Sequence, residues 1–432
     1  MKKPAGADEK SAEGTTETLT GPEVFLLNQP ISVTFASTTA KPPRHENRPP
    51  ALPGRHPCYP NKRPPWWTAD DDISVSRFSA LSPFLLPPIH HAFTLQLHSR
   101  SVPTTPAPSI LTIGSFDGVH LGHRELLAQA RRIKSAAIAS SHQTPIPRIV
   151  TLVFDPSPRA VLRPGSQPPR LTTFTQRTKF LSEYAADEVI KLVPTPGLLS
   201  EEPEHFIANL CAQFHPIAFV EGTDFRFGKS RRGDLALLRN LAGTHKFTVH
   251  EVKPIETAGL DQQIITVSST RIRSLLAAGR VADAAILLGR PYELSGTVVK
   301  GNQRGRTIGF PTANVQPEAP DQCLPADGVY AAEVDLPNGR RFPAALNIGT
   351  RPTIGGTHRT IEPHIIDAPR HPSGGPEIEG LPEYGWPITI HFHAFLREQV
   401  KFSDLQSLRE QLLRDVQRAR QLLAAGVAVS NL

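Results

Sequence analysis

The feature that most constrains the fold is an alternation, from residue 109 to about 245, of short apolar runs with helical stretches. The apolar runs predict strands at 110–113, 148–154, 187–193 and 216–221, and the stretches between them predict helices at 122–139, 175–185, 203–213 and 232–242. Strands that alternate with helices indicate an α/β fold with a parallel, doubly wound sheet. Ligands of such sheets bind at the carboxyl ends of the strands, so the loops that follow the strands are candidate sites.

The first of these loops, residues 114–123, reads GSFDGVHLGH and leads directly into a predicted helix. Backbone N–H groups at a helix start lack partners, and the helix dipole there favours anions. His120 and His123 would lie at that positive end, where an imidazole can donate to phosphate oxygens. Taken alone, the spacing of the two histidines could belong to two surface residues without a function. The glycines and the aspartate beside them, however, have turn roles of their own. The candidate phosphate-binding residues here are Gly114, Phe116, Asp117 and Gly118.

Three further polar loops are predicted at the same edge of the sheet: 154–162 (FDPSPRAVL), 221–234 (EGTDFRFGKSRRGD) and 267–273 (VSSTRIR). Taken alone, each could be a rigid surface loop, a solvated charged turn or a plain helix cap. Together they indicate a polyphosphate site, because the second is basic and the third places hydroxyls and a guanidinium at a helix N-terminus. The candidate phosphate ligands of the last loop are Ser268, Ser269, Thr270 and Arg271.

After Gly289 the pattern changes to short apolar runs separated by glycine and proline turns, at 292–299, 328–334, 342–348, 360–366 and 388–396. Short strands at this spacing indicate an antiparallel β-barrel. A final amphipathic helix is predicted at 405–423 and should pack across the barrel. Its apolar face carries Leu408, Leu412, Val416 and Ala419.

The barrel contains a dense motif at 296–314, GTVVKGNQRGRTIGFPTAN. Its glycines allow the backbone to approach phosphates, and its basic side chains supply positive charge. Thr312 and Asn314 alternate along an extended segment, so both side chains point the same way, and their oxygens suit Mg²⁺ beside a nucleotide. As isolated residues, both would more often bond a turn. The phosphate-binding candidates of this motif are Gly301, Arg304, Gly305 and Arg306.

These motifs, in this order, resemble those of the bacterial bifunctional riboflavin kinase/FAD synthetase (FMN adenylyltransferase) family. The resemblance covers residues 109 to about 425 and continues through LPADGVYAAEV, NIGTRPT and IEPHIID in the barrel. It implies a Rossmann-like nucleotidyltransferase domain that converts FMN and ATP into FAD and pyrophosphate. It also implies a riboflavin kinase barrel that makes FMN from riboflavin and ATP, with Mg²⁺ in both steps.

The resemblance also assigns roles to individual residues. Glu362, within IEPHIID, matches the catalytic base of the kinase, and His120 and His123 match the HxGH histidines of the adenylyltransferase. The loops at 154–162 and 221–234 match positions that line the site of the adenylyltransferase. The flavin-binding candidates there are Phe154, Pro156, Pro158, Asp224, Phe225 and Phe227.

This chain departs from the family pattern at two places. Ser115 stands where the family usually has asparagine, and residues 368–384, APRHPSGGPEIEGLPEY, form an extra stretch that could alter access to the kinase site. A third feature, Pro363 beside Glu362, removes a backbone donor, so the strand should have an edge or a bulge there.

The predicted organisation is an N-terminal extension at 1–104, an adenylyltransferase domain at 105–288 and a kinase domain at 289–428. Proline pairs at 42–43, 49–50, 64–65 and 87–88 interrupt both helices and central strands, so the extension is predicted to be disordered. A docking tail is the alternative for this segment.

Composition constrains the partners and the cellular compartment expected for the protein. A net charge of +7 and a pI of about 9.4 fit phosphate binding but indicate partners only weakly. Cys58, Cys211 and Cys323 are too far apart for a CxxC or metal motif, and so predict free thiols in a reducing compartment. No apolar run could span a bilayer, and the N-terminus lacks a signal-peptide core. A soluble cytoplasmic protein without a membrane partner is therefore expected.

Two alternatives stay open at this point. The first is a single-activity FMN adenylyltransferase whose barrel only binds. The second is a nucleic-acid-binding protein, but the barrel lacks the interleaved aromatic residues of a stacking platform, so no nucleic-acid partner is expected. The expected partners are ATP, riboflavin and FMN, and the expected state is a monomer or a weak homo-oligomer.

Overall fold

A computed structural model describes residues 107–140, 145–301, 304–353, 356–369 and 378–425. The predicted extension at 1–104, Cys58 and residues 370–377 of the extra stretch therefore lie outside the described residues. Cys211 and Cys323 are free thiols, as predicted. None of the helices in the described ranges is long and apolar enough to cross a membrane.

The first part of the chain forms the predicted parallel sheet. Its strands are β1 (Ser109–Gly114), β2 (Arg148–Phe154), β3 (Glu188–Leu192), β4 (Pro216–Gly222) and β5 (Thr248–Val252). They lie in the order β3-β2-β1-β4-β5, all parallel. The helices between them are α1 (Leu121–Ser140), α2 (Pro158–Leu162), α3 (Phe174–Tyr184), α4 (Pro196–Leu199), α5 (Pro203–Phe214) and α6 (Leu235–His245), and a short 3₁₀ turn spans Lys229–Arg231.

Side chains alternate between the two faces of this sheet and pack against helices on both sides. Leu111 and Val150 pack with α5 and α6, whereas Ile110 and Ile149 pack with α1 and α3. Strand β5 was not predicted, because its residues are polar and half-exposed at the sheet edge. Helix α6 begins at Leu235 rather than at 232, because the Asp234 carboxylate caps it by accepting the Leu237 N–H at 3.0 Å.

A small hairpin and two helices lead from the sheet to the barrel. The hairpin consists of β6 (Glu256–Ala258) and β7 (Ile264–Thr266), and the helices are α7 (Ser269–Ala277) and α8 (Val281–Leu288). Apolar residues of α7 and α8, such as Leu276 and Leu288, belong to the same buried cluster as Tyr292 and Leu294 of the barrel. Core packing is therefore continuous across residue 288, where the sequence predicts a domain boundary.

The rest of the chain forms an antiparallel sheet that nearly closes into the predicted barrel. Its elements are β8 (Tyr292–Val299), α9 (Arg304–Thr307), β9 (Asn314–Pro317), β10 (Gly328–Asp335), β11 (Arg341–Thr353), β12 (Gly356–Ile365) and β13 (Pro387–Arg397). The strand order is β12-β11-β10-β13-β8-β9. The Ala313 N–H, just before β9, donates to the Pro363 carbonyl on β12 at 3.0 Å, which joins the two edges. Pro363 thus lies on an edge strand, as predicted.

The last helix, α10 (Leu405–Ala424), packs across the barrel as predicted. Ala419 is fully buried against Ala331 and Ala345, and Val416 packs beside them. Strand β9 was not predicted, because only four residues pair there and one of them is proline.

Candidate functional site

The turn between β1 and α1 is tightly constrained. Phe116, Gly118 and Val119 all have positive φ angles, of 48°, 87° and 42°. A side chain on Gly118 would also meet Leu171, whose Cδ1 lies 2.8 Å from an ideal Cβ position. Phe116 and Val119 are almost completely buried, so packing holds them in a conformation that such residues rarely adopt. The turn therefore gives the start of α1 a fixed direction.

The two histidines predicted to act at this helix start lie against each other. The His120 and His123 rings are stacked, with centroids 3.7 Å apart and planes 16° apart. Gly122 permits this arrangement, because an ideal Cβ there would lie 3.2 Å from Cε1 of His120. Among the described residues, the buried Nδ1 atoms of both rings have no hydrogen-bond partner. Two imidazoles with unused polar atoms therefore lie at the N-terminus of α1.

Both imidazoles are neutral at neutral pH. Burial, reinforced by the Arg290 guanidinium, lowers the pKa of His120 from 6.5 to about 4. Burial, with His120, Arg290 and Arg177 adding to it, lowers the pKa of His123 well below 6.5. A neutral imidazole carries one N–H, so each ring can donate one hydrogen bond to an anion at the helix start.

Asp117 connects this turn with the start of α7. Its carboxylate accepts hydrogen bonds from the backbone N–H groups of Leu171, at 2.9 Å, and Thr172, at 3.1 Å, and pairs with Arg273 at 2.5 Å. The Ser269 hydroxyl donates to the Asp117 carbonyl at 2.7 Å. The structure thus brings together two loops that the sequence places about 150 residues apart, and the Asp117 carboxylate is engaged with donors of the protein itself.

The N-terminus of α7 is open for a ligand beside this turn. Ser268 caps the helix by accepting the Arg271 N–H on its hydroxyl at 3.2 Å. Thr270 and Arg271 are exposed. Residues 268–271, predicted from the sequence as one group, therefore form one helix start that adjoins the histidine turn.

The second loop is held by a residue that the sequence reasoning missed. Nη1 of Arg177, on α3, donates to the carbonyls of Ser115 at 2.8 Å and Phe154 at 3.0 Å, and its guanidinium pairs with Asp155. Lys191 also contacts Asp155, at 2.7 Å. Arg177 thus fastens the ends of β1 and β2 together. A single arginine within a predicted helix carries no local signal of this role.

The flavin-binding candidates differ in burial: some are accessible to a ligand, and one is part of the core. Phe154 and Phe225 are partly buried, whereas Phe227 is only 5% exposed and stacks beneath Phe225 at 5.4 Å. Pro156 and Asp224 are exposed, and Pro158 begins α2. Phe227 therefore supports the loop from below, and the other candidates are the ones accessible to a ligand.

A buried carboxyl group that was not predicted lies where β1 and β4 diverge. The register between these strands ends at Leu111 and Phe219. Beyond that point the Ile113 N–H donates to Oε1 of Glu221 at 2.8 Å. Burial raises the pKa of Glu221 well above its usual value. In the order β3-β2-β1-β4-β5, this is the point where the chain direction across the sheet reverses, which is where ligands of such sheets bind.

In the barrel, four of the predicted phosphate and metal residues line one cavity. Gly301, Arg306, Thr312 and Asn314 are in its wall. Gly301 leaves space for the Asn314 amide, which would lie 2.0 Å from an ideal Cβ there, and Gly305 similarly admits the Phe310 carbonyl. Arg304 begins α9 nearby. The glycines of the motif therefore allow the chain to fold back closely on itself.

The second half of the extra stretch also lines this cavity. Its lining residues include Ile378, Glu383 and Tyr384. Glu383 pairs with Arg306 at 2.6 Å, and the Tyr384 hydroxyl donates to the same carboxylate at 2.7 Å. A departure from the family pattern thus contacts a predicted phosphate ligand.

Glu362 lies on β12, beside the segment that carries Thr312 and Asn314. It pairs in register with Asn347, whose amide approaches the Glu362 carboxylate at 3.5 Å. The hydrogen bond from Ala313 to Pro363 fixes the two segments next to each other. A further contact that was not predicted, between Nδ1 of His364 and the Pro311 carbonyl at 2.9 Å, holds the same two segments.

The chemistry of this donor set fits Mg²⁺. A hydroxyl and an amide oxygen are hard, neutral oxygen donors, and Mg²⁺ in phosphate-transfer sites takes few ligands from the protein and the rest from phosphates and water. Thr312 and Asn314 lie in the wall of the cavity that also contains Arg306. These residues would hold the ion beside a nucleotide.

The chain is similar over most of its length to proteins of known families. A family model for riboflavin kinase matches residues 288–423, and one for FAD synthetase matches residues 102–271. Proteins named bifunctional riboflavin kinase/FMN adenylyltransferase are 33% identical in Escherichia coli (strain K12), 33% in Haemophilus influenzae and 34% in Pseudomonas fluorescens. These alignments cover 72–73% of this chain and 92–93% of the relatives.

A solved structure shares the fold. The crystal structure of a macrolide-efflux protein from Streptococcus pneumoniae is similar with a TM-score of 0.63 at 29% sequence identity. The match covers 73% of this chain and 95% of that chain, so the fold is shared over nearly the whole of that protein.

Proposed function

This chain belongs to the family of bifunctional riboflavin kinase/FMN adenylyltransferases, and from that premise we propose how its two sites perform the two reactions. The enzyme phosphorylates riboflavin with ATP to give FMN, and adenylylates FMN with ATP to give FAD and pyrophosphate. We assign adenylylation to residues 105–288 and phosphorylation to residues 289–428. The observation that carries the first assignment is the stacked, neutral pair of His120 and His123 at the start of α1.

In the adenylyltransferase step, a phosphate oxygen of FMN attacks the α-phosphorus of ATP, and the bond to the pyrophosphate oxygen breaks. Negative charge grows on the α-phosphate oxygens, and N–H donors of His120 and His123 stabilise it. The starts of α1 and α7, with Ser268, Thr270 and Arg271, receive the phosphates. The flavin ring lies over the loops that carry Phe154 and Phe225.

In the kinase step, the terminal hydroxyl of riboflavin attacks the γ-phosphorus of ATP, and ADP leaves. Glu362 accepts the hydroxyl proton as the new bond forms. Gly301, Gly305 and the arginines at 304 and 306 receive the phosphates. Bound Mg²⁺, held by Thr312 and Asn314, would neutralise phosphate charge. The protein contributes mainly by positioning the reactants.

A chromatographic product assay tests the whole assignment. Supplied with riboflavin and Mg·ATP, the enzyme should form FMN first and FAD afterwards, and supplied with FMN it should form FAD. FAD from FMN without FMN from riboflavin would instead favour the single-activity alternative, in which the barrel only binds. We propose that the enzyme works in the cytoplasm as a monomer or a weak homo-oligomer, with ATP, riboflavin and FMN as its partners.

Glu383→Gln is expected to lower the KM for ATP in the kinase step. Glu383 pairs with Arg306 at 2.6 Å, so ATP phosphates must compete with a carboxylate for that guanidinium. Both side chains are about one-third exposed, and ion pairs of this kind are weak, so the change should be about two- to five-fold. Initial rates of FMN formation over a range of ATP concentrations, at low salt, measure it.

Glu379→Gln is the matched control, because Glu379 is exposed in the same stretch and its substitution removes the same charge. It should leave the KM for ATP unchanged. A higher KM in Glu383→Gln would mean that Glu383 orients Arg306 for the nucleotide, and an equal KM would mean that Arg306 does not meet the phosphates.

A further inference from the structure

Arg290 connects the histidine turn with the first strand of the barrel. It follows α8 and lies two residues before β8 begins at Tyr292. Its Nη2 donates to the Gly118 carbonyl at 2.7 Å, and its Nη1 donates to the Val119 carbonyl at 3.0 Å. The guanidinium lies over the Phe180 ring, 3.7 Å from its centroid. The turn that leads into His120 is therefore held by a residue that immediately precedes the first strand of the barrel.

The partners of this partly buried cation are unusual for an arginine. Within the part of the chain that the structure describes, Arg290 forms no salt bridge with a carboxylate, although Tyr184 and Glu293 lie close enough to favour its charged form. Its buried Nε has no hydrogen-bond partner. Burial lowers the pKa of the guanidinium, but arginine stays protonated in proteins. Because no carboxylate forms a salt bridge with it among the described residues, its positive charge remains available to an anion nearby.

We infer that Arg290 is a positioning residue for FMN adenylylation. It fixes the carbonyls of Gly118 and Val119, and so holds His120 and His123 in their stacked arrangement. It also places a permanent positive charge beside the phosphates that the histidines meet. This inference rests on the proposed role of the histidine pair.

The charged groups around the two imidazoles support this electrostatic role. Arg177 faces them from α3, Arg273 from α7 and Arg290 from the end of α8. The Asp117 carboxylate in the same turn is paired with Arg273. Arg177 in turn pairs with Asp155, and Glu293 lies near Arg290. The three arginines favour the neutral form of the imidazoles and a bound anion at the turn. Removing the charge of Arg290 should make both imidazoles easier to protonate.

The test compares Arg290→Gln and Arg290→Lys in the full-length enzyme. We expect Arg290→Gln to slow FAD formation from FMN at least about 10-fold, as for a lost charge-stabilising group. The histidine titration, followed by NMR with His120 and His123 assigned through their own variants, should move to higher pH. Riboflavin phosphorylation by the same preparation should stay within two-fold and reports that the protein is folded.

Arg290→Lys separates charge from geometry. It keeps the positive charge, so the histidine titration should stay near that of the parent enzyme. An ammonium cannot reproduce the planar fork that bonds two carbonyls, so FAD formation should still fall several-fold. This variant keeps the test decisive if Arg290→Gln does not fold. Arg132→Gln, on the exposed face of α1 where Arg132 contacts Glu125 and Gln129, is the control for net charge and should match the parent.

Parent-like FAD formation in Arg290→Lys or in Arg290→Gln would overturn the inference. So would a loss of rate in Arg290→Gln without any shift of the histidine titration, since that result indicates a purely structural role. If His123→Ala also leaves FAD formation intact, the proposed role of the histidine pair fails first. If only the Arg290 variants are without effect, the present inference fails alone.

Discussion

Glu362→Gln should slow FMN production from riboflavin by about 10²- to 10⁴-fold, the usual contribution of general-base catalysis. The attacking group is a primary hydroxyl, which becomes a much better nucleophile as its proton leaves. Glutamine keeps the shape and polarity of the side chain but cannot accept that proton as a carboxylate does. Riboflavin and Mg·ATP binding should therefore stay within a few-fold, and the loss should fall on kcat.

The structure supports this prediction through the backbone. Pro363 restricts Glu362 to extended geometry, and β12 carries both at the edge of the sheet. The hydrogen bond between Ala313 and Pro363 then sets Glu362 beside the strand of Thr312 and Asn314. The backbone of Glu362 is thus anchored next to the segment that carries Thr312 and Asn314.

Two controls make the Glu362 experiment specific. FMN adenylylation should be unchanged, because that site lies in the other sheet. Asp367→Asn removes a neighbouring carboxylate that pairs with Arg420 of α10 at 2.5 Å, and it should leave the kinase rate near that of the parent. If Glu362→Gln makes FMN at the parent rate and Asp367→Asn does not, Asp367 is the base.

His123→Ala should abolish most FAD formation from FMN while sparing FMN formation from riboflavin. Loss of one donor to a developing negative charge typically costs about 2.7–4 kcal/mol, or about 10²- to 10³-fold in kcat. His123 also stacks on His120 at 3.7 Å and lies 5.1 Å from the Phe116 ring, so removing it also frees the second imidazole. The effect should therefore be at the upper end of that range.

The pH dependence of the parent enzyme provides a second test of the role of His120 and His123. Because burial lowers the pKa of His120 to about 4 and that of His123 well below 6.5, neither imidazole gains a proton as the pH falls from 8 to 6. Protonation of these two imidazoles should therefore cause no loss of adenylylation rate between pH 8 and pH 6. His205→Ala, an exposed histidine on α5, is the matched control and should leave both activities intact. Parent-like FAD synthesis by His123→Ala would refute the catalytic role.

Local patterns were enough to predict much of the fold. Apolar runs and helical periodicity identified the first four strands of the parallel sheet, most of the barrel strands and α10, because each buries a continuous stripe of its own residues. The edge strands β5 and β9 were missed, since an edge strand can be short and polar where only one neighbour pairs with it. The start of α6 was misplaced because the capping role of Asp234 lay within a run of charges.

The sequence by itself determined which loops are candidates for the chemistry of this protein, because glycines, histidines and hydroxyls at strand ends and helix starts act over a few neighbouring residues. Only the tertiary structure decided how those loops are held and charged. Arg177 joins the ends of β1 and β2, Arg290 holds a turn some 170 residues before it, and Glu383 reaches Arg306 across a cavity. Hydrogen bonds and Coulomb interactions of this kind depend on distance in space. A single arginine or glutamate therefore leaves no periodic pattern in the sequence from which its partner could be predicted.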